Sequence, residues 1–319
     1  MSRGWLPSVA STAPETRCHM KRFDRLERIL AMDPDRDYES IYRLLAEYEF
    51  PWDVTKSLEM ALFRTYAVPS IGRLLDRTGE FTRCPQKRYD DTVLILFEIL
   101  HNGPSSAKGR AALEWLNRIH GRYRISDDDY RYTLSTFVVM PVRWIEAYGW
   151  RRLHPVEVRA ITNVMRAMGE GMRISEIPET YEEFARLFDD YERDNFGRDS
   201  GGTRVAQATL DLFGSWYPKA LSGAVSDAAH LLMEPHLLAA FGFPEPSARA
   251  RRLAGLALKL RAGIVRMGPA RPDSRPVAPE PLTYPDGYTL SDLGPESFHR
   301  HLARQGAGPD AEPRCPAAR

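Results

Sequence analysis

Residues 126–148 read SDDDYRYTLSTFVVMPVRWIEAY. Ser126 offers a side-chain oxygen to unpaired backbone N–H groups, and Asp127, Asp128 and Asp129 put three carboxylates where they complement the helix dipole. A helix is expected to start here and run to about Tyr148. Pro141 lies inside it, frees the carbonyl of Phe137 and predicts a kink, either a bend around the core or the wall of a pocket.

The same period extends in both directions. Thr180 with Glu183 three residues later has capping-box spacing, which sets another helix start just after Pro178. From about residue 21 to 268 the apolar residues recur at helical spacing, and Val/Ile/Thr-rich alternating runs are missing. The expected fold class is all-α. At about 150 residues per domain, 319 residues allow one large domain or two ordinary ones, and 43 % hydrophobic residues suffice for a packed interior.

The ends differ from this body. Residues 1–20 are expected to be a disordered extension without the apolar core of a signal peptide, and Met20 is an alternative start. Ten of the 24 prolines fall in residues 269–319, too few of whose side chains are large and apolar to build a core of their own. The turn Tyr284-Pro-Asp-Gly-Tyr288 predicts that this tail docks on the helical body up to about residue 298.

Charge and cysteine content exclude several classes. With 44 Lys and Arg against 43 Asp and Glu, the chain lacks the basic footprint of a general nucleic-acid binder. Cys18, Cys84 and Cys315 are scattered, with no CxxC for a zinc knuckle and no CxxCH for covalent haem attachment. The longest apolar runs fall far short of the ~18 residues of a membrane span, so a cytoplasmic protein is expected. Residues 249–266, RARRLAGLALKLRAGIVR, put Leu253, Leu256, Leu260 and Ile264 on one face, with Arg252, Lys259 and Arg266 on another. Such a helix suits a membrane surface, but its glycines and alanines favour the reading of a core helix with a solvated Arg-rich side.

Eight histidines are the first candidates for chemistry. His19, His299 and His301 lie in segments not expected to be rigid, His154 sits at a helix start, and packing or capping accounts for His230 and His236. Glu98 and His101 form an ExxH of the kind found in di-iron bundles, but the other copy, Glu296 to His299, falls in the tail, so His101 reads as a surface residue near a helix end. His120 shares an inward face with Leu113, Leu116 and Asn117, which makes it either a hydrogen-bonded core residue or a ligand. On the preceding helix, Arg88, Asp91 and Thr92 share a face with Ile95 and Ile99. They read either as a capping cluster, with Asp90 and Asp91 complementing the dipole, or as the polar wall of a site.

The string NRIHGRYRISDDDYRYTLSTFVVMPVRWIEAYGWRRL resembles the MpaB-type oxygenases, relatives of the latex-clearing rubber oxygenases. So do TGEFTRCPQKRYDDT, IPETYEEFARLFDDYE, FPWDVTKSLEMALFRTYAVPSIGRLL and the tail's TYPDGYTLSDLGP, in order, over most of residues 45 to 298. The resemblance implies an all-helical domain with a globin-like core holding non-covalent haem b. It also implies dioxygen-dependent cleavage of a carbon–carbon double bond in a hydrophobic, isoprenoid substrate. By position it makes His120 the proximal haem ligand and puts Arg88 and Thr92 on the distal helix, where the rubber oxygenases read Arg-x-x-Lys-Thr. Here Asp91 replaces the lysine, which separates the chain from the rubber-cleaving branch and suggests a proton relay. Arg143 and Trp144 are candidate haem-propionate partners by position. Two other readings share the helical pattern: a non-catalytic haem- or lipid-binding protein, and a haem-free interaction protein whose Arg-rich helix engages a membrane or partner.

Overall fold

A computed structural model describes residues 21–304. The expected disordered extension (1–20), the alternative start at Met20, His19, Cys18 and Cys315 lie outside the described residues. Among those described, all regular structure is helical. The helices are α1 (Asp24–Leu30), α2 (Tyr38–Leu44), α3 (Pro51–Thr65), α4 (Pro69–Thr78), α5 (Glu80–Arg83), α6 (Pro85–Asn102), α7 (Ala107–His120) and α8 (Asp127–Tyr148). After them come α9 (Pro155–Gly171), α10 (Tyr181–Asn195), α11 (Ser200–Ser215), α12 (Lys219–Leu232), α13 (Pro235–Phe241), α14 (Ala248–Met267) and α15 (Glu296–Arg304).

The starts follow from local chemistry. Proline opens α3, α4, α6, α9 and α13, where its missing N–H has no helical partner to lose. Ser126 accepts from the Asp129 N–H at 3.1 Å, and the Thr180–Glu183 capping box is closed in both directions. His154 caps α9 in a second such box with Glu157.

Helix α8 is the central element. It packs against α3, α9 and α10, and residues 134–142 are all buried. The helix continues through Pro141, which is buried in the core and lines neither of the cavities described below. A buried ion-pair network ties the neighbours together. Arg64 on α3 grips Glu192 on α10 with two hydrogen bonds of 2.7 and 2.5 Å, while the Tyr132 hydroxyl of α8 donates to the same carboxylate at 3.0 Å. Such a network rewards one arrangement of helices, because any other leaves a buried charge without a partner. Helices α4 and α11 meet closely through two glycines: a Cβ on Gly72 would lie 2.7 Å from the Gly202 Cα, and one on Gly202 2.3 Å from the carbonyl oxygen of Tyr66 at the end of α3.

One expectation is corrected. Helix α14 is not a core helix: Leu253, Leu256, Leu260 and Ile264 are 67, 62, 68 and 59 % exposed, and Ala262 is its buried residue. His299 and His301 lie on α15, which inserts Phe298 against Trp115 at a ring distance of 5.3 Å. The segment before α15 is held to α6 and α7. Tyr284 hydrogen-bonds Asp91, Tyr288 hydrogen-bonds Glu98 at 2.7 Å, and the Trp115 indole N–H donates to the Leu293 carbonyl at 2.9 Å. Gly294, at φ 122°, makes the turn that seats this segment, its position only 3.0 Å from Ile119 for any added Cβ.

Candidate active site

Helices α6 and α7 bound a cavity of about 280 Å³ together with α3, α4, α8 and α11. Its lining brings together Arg88, Asp91 and Thr92 from α6 with His120, the last residue of α7. Apolar side chains such as Ile71, Leu75, Ile95, Leu116, Phe137 and Met168 make most of the remaining wall. This composition, an apolar chamber with a few convergent polar groups, suits a largely hydrophobic ligand or cofactor.

His120 has the chemistry of a ligand. Its Nδ1 is enclosed and has no hydrogen-bond partner, and its ring lies 5.7 Å from that of Tyr130. Burial, reinforced by the positive charge of Arg88, lowers its pKa to about 4, so the imidazole is neutral at pH 7. An enclosed ring nitrogen without a partner is unfavourable unless a further group takes it up. That condition fits a porphyrin, which supplies four nitrogen ligands of its own and needs one neutral imidazole from the protein. Among the described residues, no three His, Cys, Asp or Glu side chains converge to hold a bare metal ion. The ExxH pair is engaged elsewhere. His101, in the last turn of α6 and partly exposed as expected, has its Nδ1 2.7 Å from Glu47, and Glu98 accepts from Tyr288 and Asn102.

Arg88 donates to the Thr92 hydroxyl, which in turn donates to the Arg88 carbonyl at 2.9 Å, and the guanidinium lies 5.0 Å from the ring centroid of Phe81. The cation is thereby held at the cavity wall. Asp91 is 4 % exposed and both its oxygens are occupied: Lys87 Nζ donates to one at 2.7 Å and the Tyr284 hydroxyl to the other at 2.5 Å. Burial raises its pKa, and the Lys87 ammonium and the hydrogen bonds oppose that rise. Lys87 also donates to the Gly294 carbonyl at 2.8 Å, so one α6 ion pair fastens the tail over the cavity's edge. Asp90 does the same for the Thr283 N–H at 2.8 Å. The expected capping cluster is therefore, in large part, a tail clasp.

The structure does not bring Arg143 and Trp144 to this cavity. Arg143 makes a bidentate pair with Asp189 at 2.7 Å on the outer side of α8 and α10, and the Trp144 indole donates to Asp53 at 3.3 Å. The cations on the cavity wall are Arg88 and Arg124, the latter exposed just beyond α7. Local spacing marks Tyr284 as part of a docking turn but does not report its bond to Asp91, nor the contacts of Lys87 and Arg124, because these form across the fold. Arg143→Ala is accordingly expected to leave any cofactor spectrum unchanged and to lower stability by no more than ~1 kcal/mol, the worth of a solvent-screened pair, as read by urea unfolding.

A second cavity, of about 370 Å³, lies on the other side of α6. It shares Leu62, Tyr66, Tyr89, Val93, Leu96 and Thr209 with the first, so a wall one side chain thick separates them. Its outer boundary includes Pro279 and Pro281 of the tail.

Residues 57–263 match the family described as ER-bound oxygenase mpaB/B'/Rubber oxygenase, catalytic domain. The chain belongs to this oxygenase family. That match covers α6 to α8 and with them Arg88, Asp91, Thr92 and His120. The chain is 36 % identical over 148 residues to "ER-bound oxygenase mpaB" of Penicillium brevicompactum, covering 44 % of this chain and 38 % of the relative. It is 35 % identical over 153 residues to "ER-bound oxygenase mpaB" of Penicillium roqueforti (strain FM164), covering 46 % and 51 %. The chain thus spans about half or less of the curated relatives it matches. Within the mpaB/rubber oxygenase family, the cavity between α6 and α7 is the part of this chain that offers a neutral imidazole, a fixed cation and an apolar wall together. No described helix is long and apolar enough to cross a membrane.

Proposed function

We propose that this protein is a haem b-dependent oxygenase that uses dioxygen to cleave a carbon–carbon double bond in a hydrophobic, isoprenoid substrate. The observation that carries the reading is His120: a neutral, partnerless imidazole at the end of α7, on the wall of an apolar chamber that Arg88 and Thr92 also line. The family to which the chain belongs supports the oxygenase part.

In this reading His120 would hold a haem within a globin-like core, and Arg124, the exposed cation on the cavity wall, would be available to a propionate. Bound haem supplies the redox chemistry that lets dioxygen react with an alkene. The overall change is balanced without an outside reductant: one C=C and one O=O bond break, two C=O bonds form, and two carbonyl products leave. The chain does the rest. Arg88 places a positive charge beside the chamber where negative charge develops on oxygen, and its contact with Phe81 together with its hydrogen bond to Thr92 keeps it from relaxing into solvent. The apolar wall excludes water and orients the hydrocarbon. Asp91, with both oxygens held, positions α6 against the tail rather than offering a free carboxylate.

The second cavity gives the hydrocarbon chain somewhere to go, since Val93 and Leu96 stand between the two chambers. The test is haem quantification in the purified protein, followed by oxygen uptake with prenyl compounds of increasing length. About one haem per chain and dioxygen-dependent carbonyl products are expected; a protein that takes up no haem sinks the reading. Val93→Trp is expected to lower activity on long chains by ~10-fold or more while sparing short ones, and Leu96→Ala to shift the preference the other way, each through one side chain's worth of volume. Equal loss for all lengths would show that the chain does not cross this wall.

A further inference from the structure

Helix α14 exposes an apolar stripe that no other described element covers. Leu253, Leu256, Leu260, Ile264 and Met267 follow one another at intervals of three or four residues and are 59 to 83 % exposed. On a straight helix they form one line about 21 Å long. Scattered exposed leucines need no explanation, but a continuous stripe of five does. Helix α12, which packs beside α14, has no buried residue at all and adds Leu221 at 51 % exposure, with Tyr217 just before it at 52 %.

The charges around the stripe identify what covers it. Helix α14 carries Arg249, Arg251, Arg252, Lys259, Arg261 and Arg266 and no acidic residue. Two of these are engaged with the body: Arg251 donates to the Met233 carbonyl at 2.6 Å, and Arg261 pairs with Asp53 at 2.9 Å and lies over the Trp52 ring at 3.8 Å. The other four are exposed and make no hydrogen bond or ion pair among the described residues. Arg252, Lys259 and Arg266, spaced by sevens, run along one edge of the stripe, because seven residues nearly complete two turns. An apolar line edged by uncompensated cations is complementary to a surface that is apolar within and negative at its rim.

We propose that the outer face of α14, extended by α12, is a membrane-docking surface for an anionic lipid bilayer. The helix lies along the interface, with the stripe reaching the acyl boundary and the cations at the headgroups. A second copy of the chain is the poorer occupant, because two such faces would bring the same cations together with no acids to meet them. The inference is independent of the haem reading, though a hydrophobic substrate dissolved in lipid would be met at this face.

Co-sedimentation of the full chain with phosphatidylcholine vesicles, with and without phosphatidylserine, tests it. Binding is expected to be ~10-fold or more tighter with phosphatidylserine present at low salt and to weaken as salt rises. Leu256→Asp with Leu260→Asp is expected to reduce it by ~10-fold or more, and Arg252→Glu with Lys259→Glu and Arg266→Glu to abolish the preference for phosphatidylserine. All five positions are exposed, so helical content and unfolding midpoint should stay unchanged in both variants. No binding to either vesicle, binding indifferent to both sets of substitutions, or a dimer in solution that the leucine substitutions dissociate would each overturn the proposal.

Discussion

Replacing His120 with Ala is expected to yield a folded protein that no longer retains haem. The imidazole is the neutral nitrogen donor facing the chamber, and its removal should weaken haem retention ~100-fold or more, beyond what the loss of a mere outer-shell partner does. Folding should survive, because the deleted ring leaves no partner unsatisfied: its Nδ1 makes no hydrogen bond in the first place. The absorption spectrum of protein expressed with added haem reads the first effect, and circular dichroism the second. His101→Ala, whose contacts are with Glu47 and Phe97, should keep its haem.

The same histidine sets a pH dependence whose sign can be worked out. Its folded-state pKa, about 4, lies below the ordinary histidine value, so between the two the unfolded chain binds a proton that the folded one does not. Stability of the haem-free protein should therefore rise with pH through that window, by up to about 1.4 kcal/mol per unit, and level off above it. His120→Ala should flatten that part of the profile in urea titrations. An unchanged slope would mean that the imidazole is not enclosed as described.

Asp91→Asn is expected to act first on stability. The substitution leaves the Lys87 ammonium in a buried site with no counter-charge, and breaking such a pair costs about 3–5 kcal/mol. It also weakens the hold on Tyr284, so the segment from Tyr284 to α15 should become more accessible to protease and to hydrogen exchange. Replacing both partners, Lys87→Met with Asp91→Leu, should recover most of the loss, since two apolar side chains leave no charge stranded. If Asp91→Asn instead unfolds at the wild-type urea concentration, with haem intact and turnover lost, then this carboxylate moves a proton at the reacting centre and its positioning role is secondary.

Local chemistry was fully legible: Ser126 and its three aspartates begin α8, Thr180 and Glu183 begin α10, and both helices form where they were expected. The inward placement of His120 followed from its period with Leu113 and Leu116, and the joining of Arg88, Asp91 and Thr92 from their one-turn spacing. Capping and helical periodicity are properties of a few neighbouring residues, so the chain carries them without reference to the rest of the fold.

What the tertiary structure alone decided is everything that depends on which faces meet. The period of α14 is the same whether its leucines point inward or outward; only the packing of Ala262 and the pairing of Arg261 with Asp53 turn the stripe to solvent. Asp91 reads as a free distal carboxylate until Tyr284, 193 residues away, occupies one oxygen, and Lys87, one turn earlier, takes the other. Arg143 stands one residue from a core position, yet its pair with Asp189 holds it on the far side of α8 from the cavity. A side chain's neighbours in sequence fix its direction on its own helix, but its charge state, its partner and its access to a ligand come from helices that arrive from elsewhere in the chain.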